Sequence, residues 1–291
     1  MNRLLYILLL AVVFFSCKEK KADNDWGKMN LRGKVKMIKE TDYFLDTTGA
    51  DKGKKLRWTK FYMFNLSGNL VHTFQVSEKG DTGLQVVYEY DTLGRIRAES
   101  SFSNDVDSND IKAVKSYYYD SLGNNIAVTI VTGITNNSPD GYVMTKFSNW
   151  FNKEKQLTRQ TRLLGPVVDG RYHDSIIVTY IYNKQGSLIA DRTLHANGDT
   201  AIGYYDYDDN KKCTLERKTP IKGNDVMKIV RAFDKDGNML EETSYEEFKN
   251  LHSQKKMEYL KPDKQGNWTE QRIHWHDLGT TVLERVIEYY P

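Results

Sequence analysis

The chain has 291 residues, 39% of them hydrophobic, with 42 Lys and Arg against 39 Asp and Glu and a formal net charge of +3. Those charges are spread evenly, so there is no basic block of the kind that tracks nucleic acid, and two cysteines cannot build a disulfide framework. Five prolines and 19 tyrosines argue against a thick core covered on both sides and for sheets with one wet face.

The first element is an export signal. Asn2 and Arg3 form a short polar start, and Leu4 to Phe15 is an unbroken apolar run of twelve residues, too short to span a bilayer as a helix. Ser16 and Cys17 follow, then the charged stretch Lys18-Glu19-Lys20-Lys21. The segment Phe14-Phe15-Ser16-Cys17 resembles the lipobox of bacterial lipoproteins, with two phenylalanines in place of the usual Leu and small residue. That resemblance implies a signal peptide over 1–16, lipid modification of Cys17 as the mature amino terminus, and a flexible linker through residue 30. An ordinary secretory signal with an incidental cysteine is the plainer alternative. With Cys17 acylated, Cys213 is the one remaining cysteine and no intramolecular disulfide can form.

From residue 31 the pattern changes. Leu31 to Glu40 reads as an opening strand, after which a turn of the form Tyr/Phe-Asp/Asn-x-x-Gly recurs to the end of the chain. Its clearest copies are Tyr90-Asp91-Thr92-Leu93-Gly94, Tyr119-Asp120-Ser121-Leu122-Gly123 and Tyr182-Asn183-Lys184-Gln185-Gly186. The turn glycines stand at 68, 94, 123, 186, 237 and 266, with Lys155 and Lys211 in the same slot of two degraded copies, at intervals of 25 to 32 residues. A fixed period of this length means a repeat architecture.

Each slot has a physical reason. Asp or Asn at the turn start bonds backbone amides two residues on, and glycine accepts the positive φ that closes the turn. The preceding aromatic packs against cross-strand neighbours. Two positions after the glycine an apolar residue returns to the same face: Leu70, Ile96, Leu157, Leu188, Cys213, Met239 and Trp268. Between turns the period is two, as in Arg95, Arg97, Glu99 and Ser101 against Ile96, Ala98, Ser100 and Phe102. Asn197-Gly198, Asp140-Gly141 and Asp169-Gly170 mark looser connections. The best helical stretch in the mature chain is Glu246 to Lys256. Ile273 to His276 and Val282 to Tyr289 close the series.

These turns resemble the YD-repeat (Rhs-type) family, and more closely small YD-repeat-like lipoproteins of Bacteroidetes-type bacteria, over about residues 31 to 290. Lys155, Lys211 and Pro262 depart from the family pattern. The resemblance implies a curled antiparallel hairpin sheet, but no toxin activity, since the toxin and protease segments of the large Rhs proteins are missing.

The expected fold is therefore all-β: one domain over 31–291, an antiparallel hairpin-repeat meander of about 16–18 strands. A sheet that wide with one apolar face must curl, aromatic face inside, and so many strands in a round barrel would leave a lumen that side chains cannot fill. A flattened or partly open barrel with a Tyr- and Trp-lined cleft is expected. A membrane-spanning barrel is the competitor, made redundant by a lipid tether.

Candidate chemistry is sparse. His274 and His276, two apart on a strand, could share a metal, but no third ligand has recognisable spacing; no metal site is expected. Cys213 sits in a core slot without a marked partner. Asp91, Asp120, Asp208 and Asp234 recur where turn capping demands a carboxylate, which argues against a hydrolytic pair among them. Neither Gly-x-Gly-x-x-Gly nor Gly-Lys-Ser/Thr occurs, so no cofactor is implied. The aromatic surplus is what could serve binding: Trp58, Trp150, Trp268 and Trp275, beside Tyr62, Tyr88, Tyr117, Tyr180 and Tyr205. The expected protein is no enzyme. It is a lipoprotein of the bacterial envelope, anchored at Cys17, in the outer membrane, that binds or scaffolds a protein or glycan and no nucleic acid. The rival readings are an envelope carbohydrate hydrolase and an immunity protein against a secreted toxin.

Overall fold

The computed structural model describes residues 24–46, 53–102, 111–132, 142–165, 174–209, 212–219, 227–246 and 250–291. A single turn of helix, α1 (Asp25–Lys28), leads into eighteen strands. The first nine are β1 (Val35–Asp46), β2 (Gly53–Phe64), β3 (Leu70–Ser77), β4 (Thr82–Tyr90), β5 (Ile96–Phe102), β6 (Ile111–Tyr119), β7 (Asn125–Thr132), β8 (Tyr142–Phe151) and β9 (Leu157–Leu164). The others are β10 (Asp174–Tyr182), β11 (Leu188–His195), β12 (Thr200–Tyr207), β13 (Cys213–Thr219), β14 (Met227–Phe233), β15 (Met239–Glu246), β16 (Asn250–Pro262), β17 (Trp268–Trp275) and β18 (Gly279–Tyr289). Each strand pairs antiparallel with the next, and β1 pairs with both β2 and β18, so the meander closes on itself without an edge. The helix expected over Glu246 to Lys256 is absent: Asn250 onward is β16, where pairing with β15 and β17 overrides the local pattern.

The repeated turn is a type I turn with a glycine bulge. In its second copy the Gly94 amide donates to the Asp91 carbonyl (3.0 Å), and the Asp91 amide donates to the Arg95 carbonyl (2.9 Å). Gly94 sits at φ +74, where a side chain would be strained. Oδ1 of Asp91 accepts from the amides of Leu93 and Arg95, both at 2.9 Å. Lys155 takes the same left-handed conformation, φ 60, without glycine's freedom, and the turn still forms. Pro262 also leaves its turn intact: Asp263 and Asn267 close it at 2.8 Å.

After seven of the eight turns one residue bulges out of the ladder three positions past the glycine slot, as Arg97 does beside the shift between Glu89 and Tyr90; at the last turn the register is kept. Such bulges add twist and bend. Repeated from hairpin to hairpin, they curl the sheet enough to close it.

Three of the bend tyrosines also do something their packing does not require. The hydroxyls of Tyr90, Tyr119 and Tyr182 donate to the carbonyls of Leu70, Ile96 and Leu157, at 2.7, 2.7 and 2.9 Å. Every acceptor is the residue two past the turn glycine, or past its stand-in Lys155, of the hairpin before. Tyr259 takes over for the missing aromatic at Pro262 and donates to the Met239 carbonyl at 2.9 Å. The tyrosines thus staple successive hairpins together.

The segment ahead of β1 shows which face is inside. Oδ2 of Asp25 accepts from the Leu70 amide (2.8 Å) and lies 3.1 Å from the Tyr90 hydroxyl, while Nδ2 of Asn30 donates to Asn238 at 2.6 Å. On a round barrel of eighteen strands those contacts would stand roughly 30 Å apart. Five residues of chain reach both only from the concave side, and only if the rim is drawn in. The tyrosine-bearing face therefore lines the lumen, and the barrel is pinched at its tyrosine-turn end. Trp26, Met29 and Leu31 pack there on Val35, Ile38 and Phe64, of which the first two are fully buried. From Asn24 onward the expected flexible linker is thus docked structure.

The inward face is aromatic near the turns but not apolar throughout. Farther up the strands it carries ion pairs: Glu40–Arg285 (2.8 Å, side chains 6% and 10% exposed), Arg231 between Glu216 (3.2 Å) and Glu242 (2.8 Å), and Lys255–Glu242 (2.7 Å). A lumen too wide to fill with side chains stays wet enough to keep charge paired along its wall. The outward face mixes Tyr118, Trp150 and Ile181 with exposed Arg159, Arg192, Arg217, Lys256 and Arg272. That is not the continuous apolar band of a membrane-spanning barrel.

Candidate lumen site

Among the described residues, two sizeable concavities open on the inward face. The larger, about 680 Å³, lies in the half of the barrel away from the tyrosine turns and is walled by β9 to β15. Its floor is Gly203. A Cβ there would stand 2.5 Å from Oδ1 of Asp191 and 2.9 Å from the Tyr205 hydroxyl, so only glycine lets these two side chains meet across β11 and β12. They do meet: the Tyr205 hydroxyl donates to Asp191 at 2.5 Å. Burial, and then this bond to a carboxylate, push the Tyr205 pKa up, so the hydroxyl stays a donor at any physiological pH.

Around that pair stand Tyr180, Arg162, Lys218, Thr193 and Met227. Arg162 donates through Nε to Gln160 at 2.5 Å and lies over the Phe147 ring, with no carboxylate partner among the described residues. Lys218 bonds Glu216 at 2.7 Å. The site offers two aromatic faces, a guanidinium, the carboxylates of Asp191 and Glu246 and several hydroxyls around a gap. That set suits a polar, hydroxyl-bearing ligand.

The smaller concavity, about 460 Å³, sits beside the docked amino-terminal segment and is lined by Asp25, Tyr88, Tyr90, Glu99, Tyr117 and Tyr119 among others. Its groups are mutually satisfied. Tyr117 donates to Glu99, which also pairs with Lys115 (3.3 Å), and Asp25 is held by Leu70 and Tyr90.

The aromatic residues singled out from sequence do not converge. Trp268 lies inward under Arg285, whose guanidinium carbon is 3.4 Å from the ring centroid, and Trp275 lies inward under Lys255. Trp58 faces Asp42 across β1 and β2, whereas Trp150 is outward and 45% exposed, with Arg159 over its ring. No tryptophan lines the larger cavity. Two of the five tyrosines named with them, Tyr180 and Tyr205, do. Tyr88 and Tyr117 line the smaller one, and Tyr62 packs at the rim against Glu40.

His274 faces outward beside Thr280, and His276 lies past the end of β17 beside Asp277. Among the described residues no cluster of three His, Cys, Asp or Glu could hold a metal ion. Burial pushes the Cys213 thiol up, so it is a poor thiolate. The repeated aspartates are turn caps, as Asp91 is. Away from the turns, Asp191 and Glu246 both line the larger cavity, and Glu40 and Asp42 sit on the inward face of β1, each 4% exposed. Neither Glu40 nor Asp42 lines a cavity described above. Cys17 lies outside the described residues.

No family model matches the chain, and no curated protein matches it. Among solved structures it is similar to a porin-like protein from Bacteroides uniformis, with 11% identity and a TM-score of 0.43, over 87% of this chain and 98% of that one. It is also similar to TcdB2-TccC3 without its hypervariable C-terminal region, with 11% identity and a TM-score of 0.28, over 80% of this chain and 16% of that one.

Proposed function

We propose that the protein is a lipid-tethered envelope module that binds a polar ligand, with a glycan as the best fit, without transforming it. The observation that carries this reading is the larger lumen cavity, with Asp191 and Tyr205 meeting over Gly203 beside Tyr180 and Arg162. Tyrosine rings stack on sugar faces, and the carboxylate, guanidinium and hydroxyl groups read their edges. Of the two carboxylates that line the cavity, Asp191 is engaged by the Tyr205 hydroxyl and Glu246 stands 3.0 Å from His252, which supports binding over hydrolysis. The charged residues across the outward face support a barrel held at a membrane by Cys17 rather than one spanning it.

The test is a glycan array followed by calorimetry on the full chain, with Tyr205→Phe and Asp191→Asn as variants. Binding that weakens about tenfold or more in both variants, with the ligand recovered unchanged, supports the proposal. Absence of any glycan ligand, or affinity indifferent to both variants, refutes it. Acylation of Cys17 is read separately, by mass spectrometry of the amino-terminal peptide.

A further inference from the structure

We infer that the tyrosine-turn rim of the barrel is itself a membrane-docking surface, seated on the phospholipid bilayer that holds the anchor, with the ligand cavity turned away from it. The inference rests on the tether reading for its geometry and on exposed side chains for its chemistry. Nδ2 of Asn24 donates to the Ser67 carbonyl at 2.7 Å, so the chain leaves the barrel beside the β2–β3 turn. Cys17 is seven residues upstream, and seven residues of extended chain span at most about 25 Å. A lipid on Cys17 therefore brings this rim close to the bilayer.

The rim carries what such a position needs. Three consecutive hairpins present a leucine at the turn tip, where packing and the turn itself ask for nothing apolar: Leu66, Leu93 and Leu122, 70%, 74% and 67% exposed. The slot of Leu93 and Leu122 holds Glu154, Gln185, Asp236 and Gln265 elsewhere on the rim, and that of Leu66, one residue earlier, holds Lys153, Lys184, Lys235 and Lys264. One residue behind the bend aromatic, on the outward face, stand Tyr118, Trp150 and Ile181, 49%, 45% and 50% exposed. Aromatic and aliphatic groups at that height match the headgroup–acyl boundary, which an amphipathic surface enters by ~5–10 Å. Exposed Lys153, Lys155, Lys184 and Lys264 on neighbouring tips supply charge for anionic headgroups. At the opposite end the β11–β12 hairpin shows Ala196-Asn197-Gly198, and the β17–β18 turn exposes a single leucine, Leu278 at 67%, without leucines on the other described hairpin tips there.

The experiment places a fluorescent probe at Leu93→Cys or Asn197→Cys, in a Cys213→Ser background of the acylated full chain, bound to phosphatidylethanolamine–phosphatidylglycerol vesicles. Brominated acyl chains in the vesicles should quench the probe at 93 and leave the probe at 197 unquenched. Equal quenching at both sites overturns the inference. A second arm uses the unacylated Cys17→Ser chain, whose partition into the same vesicles should fall roughly tenfold on adding Leu66→Asp, Leu93→Asp and Leu122→Asp. Partition unchanged by those substitutions also overturns it, and circular dichroism confirms that the exposed-site variant is folded. Flotation of the acylated chain against Cys17→Ser reports on the tether alone, so loss of the anchor and loss of the rim contact give different results.

Discussion

The tyrosine staples make a quantitative test of how the barrel is held together. Tyr90, Tyr119, Tyr182 and Tyr259 each donate to a carbonyl one hairpin back, at 2.7 to 2.9 Å. Phenylalanine keeps the ring and its packing and removes only the donor. A single net hydrogen bond of this kind contributes about 1 kcal/mol, since the freed carbonyl is only partly desolvated and recovers some bonding from water. The four sites lie on different hairpins without shared partners, so their effects should add to about 4 kcal/mol in the quadruple Tyr→Phe variant. For a chain of this size that corresponds to a melting temperature lower by roughly 8–16 °C. Urea denaturation followed by circular dichroism measures the loss directly, and an unchanged slope with denaturant shows that stability rather than compactness moved. Tyr90→Phe should be the costliest single change, because its hydroxyl also lies 3.1 Å from Asp25. The natural Phe151 supplies a control. Phe151→Tyr should gain nothing, since Nδ2 of Asn149 already donates to the Asn125 carbonyl that a tyrosine there would seek, at 2.9 Å. A quadruple variant within about 0.5 kcal/mol of wild type would show that the repeat needs aromatic area and not the hydroxyl.

Gly203→Ala should cost about 1–3 kcal/mol and weaken ligand binding by separating Asp191 from Tyr205; denaturation and calorimetry on the same sample check both halves. Glu40→Gln should destabilise by about 3 kcal/mol, because Arg285 would be left buried without a charge partner, while Glu40→Leu with Arg285→Met should cost less than the single change. The turn carboxylates give a pH dependence. Backbone bonds from Arg95 hold Asp91 below the usual carboxylate range. Asn124 does the same for Asp120, and Asn238 outweighs opposing desolvation to lower Asp234. A lowered folded pKa stabilises above the ordinary carboxylate value and is lost as pH falls through the folded value. Wild type should therefore lose more melting temperature between about pH 6 and about pH 3 than the Asp91→Asn, Asp120→Asn, Asp234→Asn variant, whose amides keep the turn bonds uncharged.

The architecture was legible because it is local. Turn residues at fixed offsets, two-residue alternation and an apolar residue two past most of the turn glycines are enough to give an antiparallel hairpin meander of about 16–18 strands. Closure was not legible, since it depends on bulges whose position is set by ladder register rather than by residue type. The hydroxyl of the bend tyrosine was hidden in a slot that packing alone explained, although the preference for Tyr over Phe in the clearest copies was a signal for a bonded donor. Trp26 was the other missed signal: an aromatic inside a charged linker has no reason to be there unless it docks, and it donates to the Val35 carbonyl at 2.9 Å. The site was the least legible part. Tryptophans drew attention by rarity, yet the cavity is built on Gly203, whose importance exists only where β11 and β12 bring Asp191 and Tyr205 together.

Width explains why the two ends of the barrel differ. An eighteen-strand barrel cannot be filled by its own side chains, so the lumen must be either wetted or occupied. At the tyrosine-turn end it is occupied: α1 and the residues after it draw the rim together, and that is where the fully buried Val35 and Ile38 lie. Along the strands the wall stays wet, and its charges are paired with one another as Arg231 pairs with Glu216 and Glu242. The larger cavity lies on β9 to β15, mostly on the far side of the ring from β1, where a short segment tied to β1 does not extend. The polarity of the molecule thus follows from connectivity. Asn24 stands at the closed end beside the β2–β3 turn, and the cavity is left in the half away from it.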